Sequence, residues 1–152
     1  MRVNASVDFA LRATLELARI PPGTYVPAVT IARAQGLSPN FLLSILHELR
    51  RAGMVESRRG ADGGFRLSRP PEEIAVADVI RAVEGPLLSV RGEAPELLVY
   101  DGASEALREV WIALRASLRS VVEGVTIADL LAGSLPADVQ RIAATPEARI
   151  SR

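Results

Sequence analysis

The chain opens on a helical pattern. From Val7 onward the positions Ala10, Leu11, Leu15 and Ala18 recur at helical spacing, and Asn4 or Ser6 stands ready as a cap, which predicts an amphipathic helix over Asn4 to Arg19. Pro21, Pro22 and Gly23 stop it. A second, short helix is expected from Pro27, a residue suited to the first helical position, through Val29, Ile31 and Ala32 to Gly36. Leu37 follows, then Ser38 as cap and Pro39 as first residue of a third helix reaching about Ala52, with Gly53 as its stop. Phe41, Leu42, Ile45, Leu46 and Leu49 form the stripe that this helix should bury. Two short helices joined by the tight turn Gly36-Leu37-Ser38 match a helix-turn-helix.

The pattern then changes. Met54 to Ser57 and Phe65 to Ser68 read as short strands joined by Arg58-Arg59-Gly60-Ala61-Asp62-Gly63-Gly64, a hairpin with a glycine-rich tip flanked by arginines. A two-stranded wing directly after the third helix makes the unit a winged helix. Over this stretch Arg50, Arg51, Arg58, Arg59, Arg66 and Arg69 are opposed only by Glu56 and Asp62, so the basic charge is local. A glycine loop can also cradle a nucleotide phosphate, but this one lacks the Lys-Ser/Thr ending and opens no helix.

After Pro70 and Pro71 a fourth helix is expected over Glu72 to Glu84, with Ile74, Val76, Val79, Ile80 and Val83 on its apolar side and Gly85 and Pro86 closing it. Residues 87–102 show no clear period and read as a connector. Leu107, Trp111, Leu114, Leu118, Val121 and Val125 then alternate in steps of four and three, the seam of a helix packed on another of similar length. No second long helix exists in the chain, so the expected partner is the same helix of another subunit, giving a two-fold homodimer. Thr126 and Asp129 form a capping box for a short helix ending at Gly133, and Pro136 to Thr145 is expected to form a last one. The expected architecture is mainly α, a winged helix-turn-helix with a two-stranded wing plus a long dimerisation helix. Its segments are a DNA-binding domain at 1–86, the connector at 87–102, the dimerisation helix and following short helix at 103–133, and a partly helical tail at 134–152.

Composition narrows the chemistry. The 152 residues carry 18 basic and 18 acidic side chains, every basic one an arginine, with one His and no Cys. Disulfides, thiol catalysis and thiolate-held metals are thereby excluded, and no cofactor is expected. No nucleophile-base pair, carboxylate pair or cofactor fingerprint points to an enzyme. No apolar run approaches the roughly 18 residues of a membrane span, and Met1 to Arg12 lacks a signal peptide's apolar centre, so a cytoplasmic protein with no membrane partner is expected.

On the third helix Asn40, Leu43, Ser44, His47 and Arg51 lie off the expected buried stripe, where a recognition helix faces the major groove. Asn40 can pair bidentately with adenine, Ser44 can serve any base, and Leu43 can touch a thymine methyl. Ser38 caps the helix, and with Pro39 it stands at the end nearest the phosphates. Arg58, Arg59 and Gly60 form the wing tip that can reach a minor groove or its phosphates. The alternative reading, a winged helix that binds proteins instead of DNA, is separable by salt dependence.

The segments "SVDFALRATLELA", "SPNFLLSILHELRRAGMVESRRGADGGFRLSRPPEEIAVADVIRAVEGP" and "LREVWIALRASLRSVVEGVTIADL" resemble the Rrf-two family of bacterial winged-helix transcription regulators. The resemblance spans roughly residues 1–131. It implies a homodimer crossed through the long helix, each winged helix on half of an inverted-repeat operator, acting as a repressor that occupies a promoter. Many relatives carry three Cys before the long helix that ligate an iron–sulfur cluster; here that stretch has none, and Ser104 stands about where the last would fall. The chain therefore resembles a cluster-free branch, in which a metabolite, a partner protein or another chemistry supplies the signal. Tyr100 and Trp111 border the region where cluster-bearing relatives sense, and are the expected lining of an effector pocket. Many relatives also have Glu-Gln where this chain has Leu43 and Ser44, so base preference should differ.

Overall fold

A computed structural model describes residues 3–150; the outermost positions of the first and last segments above lie outside it. The described chain folds in the expected order. Helices α1 (Ala5–Ala18), α2 (Ala28–Gln35) and α3 (Pro39–Arg51) precede strands β1 (Val55–Arg58) and β2 (Gly64–Leu67). Then come α4 (Val76–Glu84), α5 (Leu107–Val122), α6 (Ile127–Ala132) and α7 (Ala137–Ala144), with short 3-10 turns between them.

Local chemistry sets the boundaries. Gly36 ends α2 at φ +65°, a left-handed conformation that a Cβ would penalise, and Leu37 turns the chain into the Ser38 cap. Ser38 Oγ accepts the Phe41 N–H at 3.3 Å. Both strands shift by one residue from the sequence expectation, to Val55–Arg58 and Gly64–Leu67, and two helix starts move as well. Pro27 is the extended residue before α2 instead of its first helical one. Residues 71–73 form a 3-10 turn that breaks off at Ile74, so α4 starts at Val76, where the Asp78 carboxylate reaches back to accept the Ala75 N–H at 3.0 Å.

The core joins Ala10, Ala13 and Leu17 of α1, Ile31 and Ala32 of α2 and Leu42, Ile45, Leu46 and Leu49 of α3 to Met54, Val55, Phe65, Ile74 and Val79. Three details differ from the expected stripes. On α1 the fully buried positions are Val7, Ala10, Ala13, Thr14 and Leu17, with Leu11, Leu15 and Ala18 at the margin. Thr14 tolerates burial because its Oγ1 donates to the Ala10 carbonyl at 2.8 Å. Phe41 is 37% exposed, its ring edge-on to Phe9 at 5.8 Å, so it rims the core instead of filling it.

Strands β1 and β2 pair antiparallel with Val55 opposite Leu67 and Arg58 opposite Gly64. A third, one-residue strand lies beside them: Val26 and Phe65 exchange backbone hydrogen bonds of 2.9 and 2.8 Å, fastening the loop before α2 to the wing. Gly64 is the point of closest approach, because a Cβ there would overlap the Val26 carbonyl.

The far end of the chain returns to this unit. Thr126 and Asp129 form the expected reciprocal capping box, at 2.9 and 3.0 Å. The Thr126 N–H, with its hydroxyl, holds the Asp129 carboxyl below the ordinary Asp range. The Val76 N–H donates to the Val125 carbonyl and the Ile127 N–H to the Ile74 carbonyl, both at 2.9 Å. Ile127 is fully buried in the same core as α1. Thus α6, grouped by sequence with the long helix, packs into the first unit. Val125 is likewise corrected: it lies beyond the end of α5, buried within its own chain, and is not a seam residue.

Helix α5 is different. None of its residues is buried by the described chain, and Leu107 and Val110 are 40% and 53% exposed. Trp111, Leu114, Leu118 and Val121 are only half-buried.

Candidate nucleic-acid interface

The outer face of α3 carries Asn40, Ser44, His47 and Arg51, all exposed, with Ser38 and Pro39 exposed at its first turn. Four core leucines and isoleucines on the opposite side hold the helix rigidly, so these side chains sit on a fixed platform. They are not equally free. Ser44 Oγ donates to the Phe41 carbonyl at 2.6 Å, which leaves it its lone pairs and makes it an acceptor toward anything outside. Arg51 is paired with Glu48 on its own helix, and that hydrogen bond raises the guanidinium pKa further. The His47 ring lies 6.5 Å from the Phe65 ring. Leu43 corrects the sequence reading: it is half-buried against the core instead of standing off it.

The wing stands beside this face, tied to it by the Arg50 guanidinium donating to Ser57 Oγ at 3.0 Å. Its tip turns at Gly60, φ +106°, and closes with the Gly63 N–H donating to the Gly60 carbonyl at 3.0 Å. Arg58 and Arg59, paired by sequence, have different situations. Arg58 folds back, donating to the Asp62 carbonyl at 2.6 Å and covering the Tyr25 ring at 4.4 Å. Arg59 is exposed and makes no side-chain hydrogen bond or ion pair with the described residues.

Tyr25 is the organising residue that sequence reading missed. Its ring lies between two guanidiniums, Arg58 at 4.4 Å and Arg66 at 4.7 Å. Its hydroxyl donates to Glu56 Oε2 at 3.5 Å, and Arg66 donates to Glu56 Oε1 at 3.0 Å. The only advance signal was a lone aromatic next to Val26 and Pro27, in a loop whose pairing with the wing no local pattern shows.

The rest of the expected site is elsewhere. Tyr100 and Trp111 do come together, the indole N–H donating to the Tyr100 hydroxyl at 3.2 Å. They close on each other, and neither lines the cleft between α4, the connector and α5. Among the described residues no helix is long and apolar enough to cross a membrane.

Comparison with known proteins fits this geometry. The family model described as Rrf2, iron-dependent transcriptional regulator, matches residues 3–133. Rv1287 of Mycobacterium tuberculosis, which carries the name of an HTH-type transcriptional regulator, is 47% identical over 143 residues, covering 94% of this chain and 89% of that one. The HTH-type transcriptional regulator CymR of Bacillus subtilis is 32% identical over 130 residues, 86% of this chain and 89% of its own. The solved structure of CymR, described as the global cysteine regulator of that organism, superposes with a TM-score of 0.73 at 30% identity, covering 88% of this chain and 98% of CymR. IscR of T. potens gives 0.70 at 30% identity, covering 100% of this chain and 93% of IscR.

The iron in the family's description does not fit the donors present. The sequence has no thiolate to offer, and no three His, Asp or Glu side chains gather as a metal set among the described residues. Ser104, which the family resemblance sets about where the last cluster cysteine would fall, donates its hydroxyl to the Asp101 carbonyl at 2.8 Å and so braces its own 3-10 turn. A helix-turn-helix with an arginine-tipped wing, matched over 3–133 to a regulator family whose members are not enzymes, leaves one assignment: the chain belongs to the Rrf2 family of DNA-binding transcriptional regulators.

Proposed function

We propose that the protein is a cytoplasmic homodimer that binds an inverted-repeat operator and represses transcription by occupying a promoter. The observation that carries this reading is the uncovered α5: sixteen residues long, with no position buried by the described chain and an apolar side running from Leu107 through Trp111, Leu114 and Leu118 to Val121. Such a stripe is buried by a second copy in two-fold register, and two-fold symmetry in the protein selects two-fold symmetry in the operator. In each half, Asn40 and Ser44 meet base edges, Ser44 as acceptor from an adenine or cytosine amino group. Arg59 reaches phosphate or minor groove, while His47, Arg51 and Ser38 face the backbone. Leu43, half-buried, contributes shape and no hydrogen bond.

Selection of bound sequences from random duplex DNA tests the reading as a whole. The expected result is a palindromic site bound by a species of dimer mass in sedimentation. An enriched site without two-fold symmetry, or a monomer on DNA, refutes it.

A further inference from the structure

A cleft of about 310 Å³ opens between the end of α4, the connector and α5. Its floor is apolar, with half-buried Leu87 and Leu88. Its polar lining is mostly cationic: Arg81 from α4, and Arg115 and Arg119 one turn apart on α5, against the single carboxylate of Glu96. The Arg115 side chain is 24% exposed, the least of any ion-paired arginine in the described chain. Glu96 Oε2 lies 2.6 Å from its guanidinium. Behind the cleft, Glu123 serves two cations at once, its Oε1 accepting from Arg81 and, at 3.0 Å, from Arg119. Arg81 also lies 4.0 Å from the Asp78 carboxylate, so the three guanidiniums share three carboxylates, yet most of their N–H donors are unused.

The walls of the cleft are held by the two aromatic residues that sequence reading singled out. The connector turns back at Val90–Glu93 through Arg91, whose φ of +56° is the only positive value at a non-glycine among the described residues. That turn lays the Arg91 guanidinium over the Tyr100 ring at 5.7 Å, and Trp111 on α5 donates to the Tyr100 hydroxyl. Connector and α5 are therefore joined at two places, Glu96–Arg115 and Tyr100–Trp111, with the cleft lined by the first.

We propose that this cleft is an effector site for a small dianionic metabolite, a dicarboxylate or a phosphomonoester with at most a short apolar stem. The anionic head takes the places that Glu96 and Glu123 now hold on Arg115, Arg119 and Arg81, and the stem lies on Leu87 and Leu88. The volume falls at the low end of ligand sites, which limits the ligand to a small molecule. Regulation follows from where the cations come from. Arg81 stands on α4, which packs on α1 and α3 of the reading unit, whereas Arg115 and Arg119 stand on the helix proposed to join the two subunits. An anion bridging them, in place of the Arg81–Glu123 pair, resets the angle at which each winged helix leaves α5 and so changes operator affinity. This regulatory part rests on the repressor reading; the anion site does not.

Trp111 is the only tryptophan, so its emission reports on the connector wall. The full-length protein is titrated at constant ionic strength through the millimolar range with succinate and, separately, with inorganic phosphate. Expected is a saturable change with at least one of them, the better probe naming the source of the anion. Arg115→Gln weakens it about tenfold or more, the loss of a charge-assisted bond. Glu96→Gln tightens it, because a competing carboxylate is gone, an outcome that a merely structural pair would not give. Arg58→Ala with Arg59→Ala leaves it unchanged. No saturable response to either probe, unchanged affinity in both cleft variants, or loss only in the wing variant overturns the site. Operator affinity measured in parallel separates the readings: probe binding that leaves it unmoved overturns the regulation alone, and probe binding by a protein that recognises no operator sinks the repressor reading while the cleft stands.

Discussion

The two wing arginines give a quantitative prediction because the fold treats them so differently. Arg59 is unengaged among the described residues, so on the proposed reading its removal deletes one phosphate contact per subunit of the dimer. Each neutralised phosphate contributes about 0.9 to the slope of log K against log salt, so Arg59→Ala should flatten that slope by about 1.8. Over a fourfold rise in salt the wild type then loses roughly tenfold more affinity than the variant. Arg58 is committed inward, to the Asp62 carbonyl and the Tyr25 ring. Its replacement removes an exposed cation–π contact and a hydrogen bond, about 1–2 kcal/mol of wing stability together, with little change in salt slope. Fluorescence anisotropy with the selected operator across a salt series, beside thermal melts of the free proteins, reads both quantities. If Arg58→Ala flattened the slope by 1.8 units, as estimated for two contacts, and Arg59→Ala left it unchanged, the Tyr25 stack would have to open on DNA, and the division of roles would be wrong.

Four further outcomes are expected. Leu114→Glu with Leu118→Glu places charge on the α5 seam and should yield a monomer by sedimentation; an unchanged dimer would move the interface elsewhere. Asn40→Ala should reduce the preference for the selected operator over scrambled DNA by about 1–3 kcal/mol while leaving nonspecific affinity intact, as competition binding would show. Gly64→Ala should loosen the wing, since its Cβ meets the Val26 carbonyl, and hydrogen exchange should accelerate at the Val26 and Phe65 amides without reaching α5. The Asp129 pKa is depressed in the folded chain, so its contribution to stability is full above the unfolded Asp range and is lost as pH falls through the folded value. Acid melts of Asp129→Asn should accordingly fall less steeply with decreasing pH than those of the wild type.

Residues that punctuate the chain were legible before any coordinates. Gly36 and Ser38 act within three or four positions of themselves, and so does the Thr126–Asp129 box, so a sequence window contains the whole cause of what they do. Tyr25 was not legible, because its role depends on Arg58 and Arg66, more than thirty positions away and brought to it by a one-residue strand. The arginine cleft was hidden for the same reason: Arg115 and Arg119 look like an ordinary solvated face of α5 until Arg81 arrives from α4. Burial was legible to within one helical position. The expected stripe of α1 was rotated because Thr14, polar in a window, is satisfied by its own helix, and Phe41 was misplaced because a large ring at a helix start can rim a core as well as fill it.

The return of α6 has a consequence for synthesis. The core of the reading unit is built from residues between Val7 and Val79, yet Ile127 completes it, and a missing buried isoleucine leaves a void whose cost in measured cases is about 2–5 kcal/mol. A nascent chain that has emerged only as far as Pro86 therefore lacks part of its own interior. The winged helix becomes fully stable only after α5, the proposed pairing helix, has left the ribosome. Half-made chains should thus be poor competitors for DNA, and on the proposed homodimer reading the order of residues along the polypeptide makes dimerisation and recognition mature together.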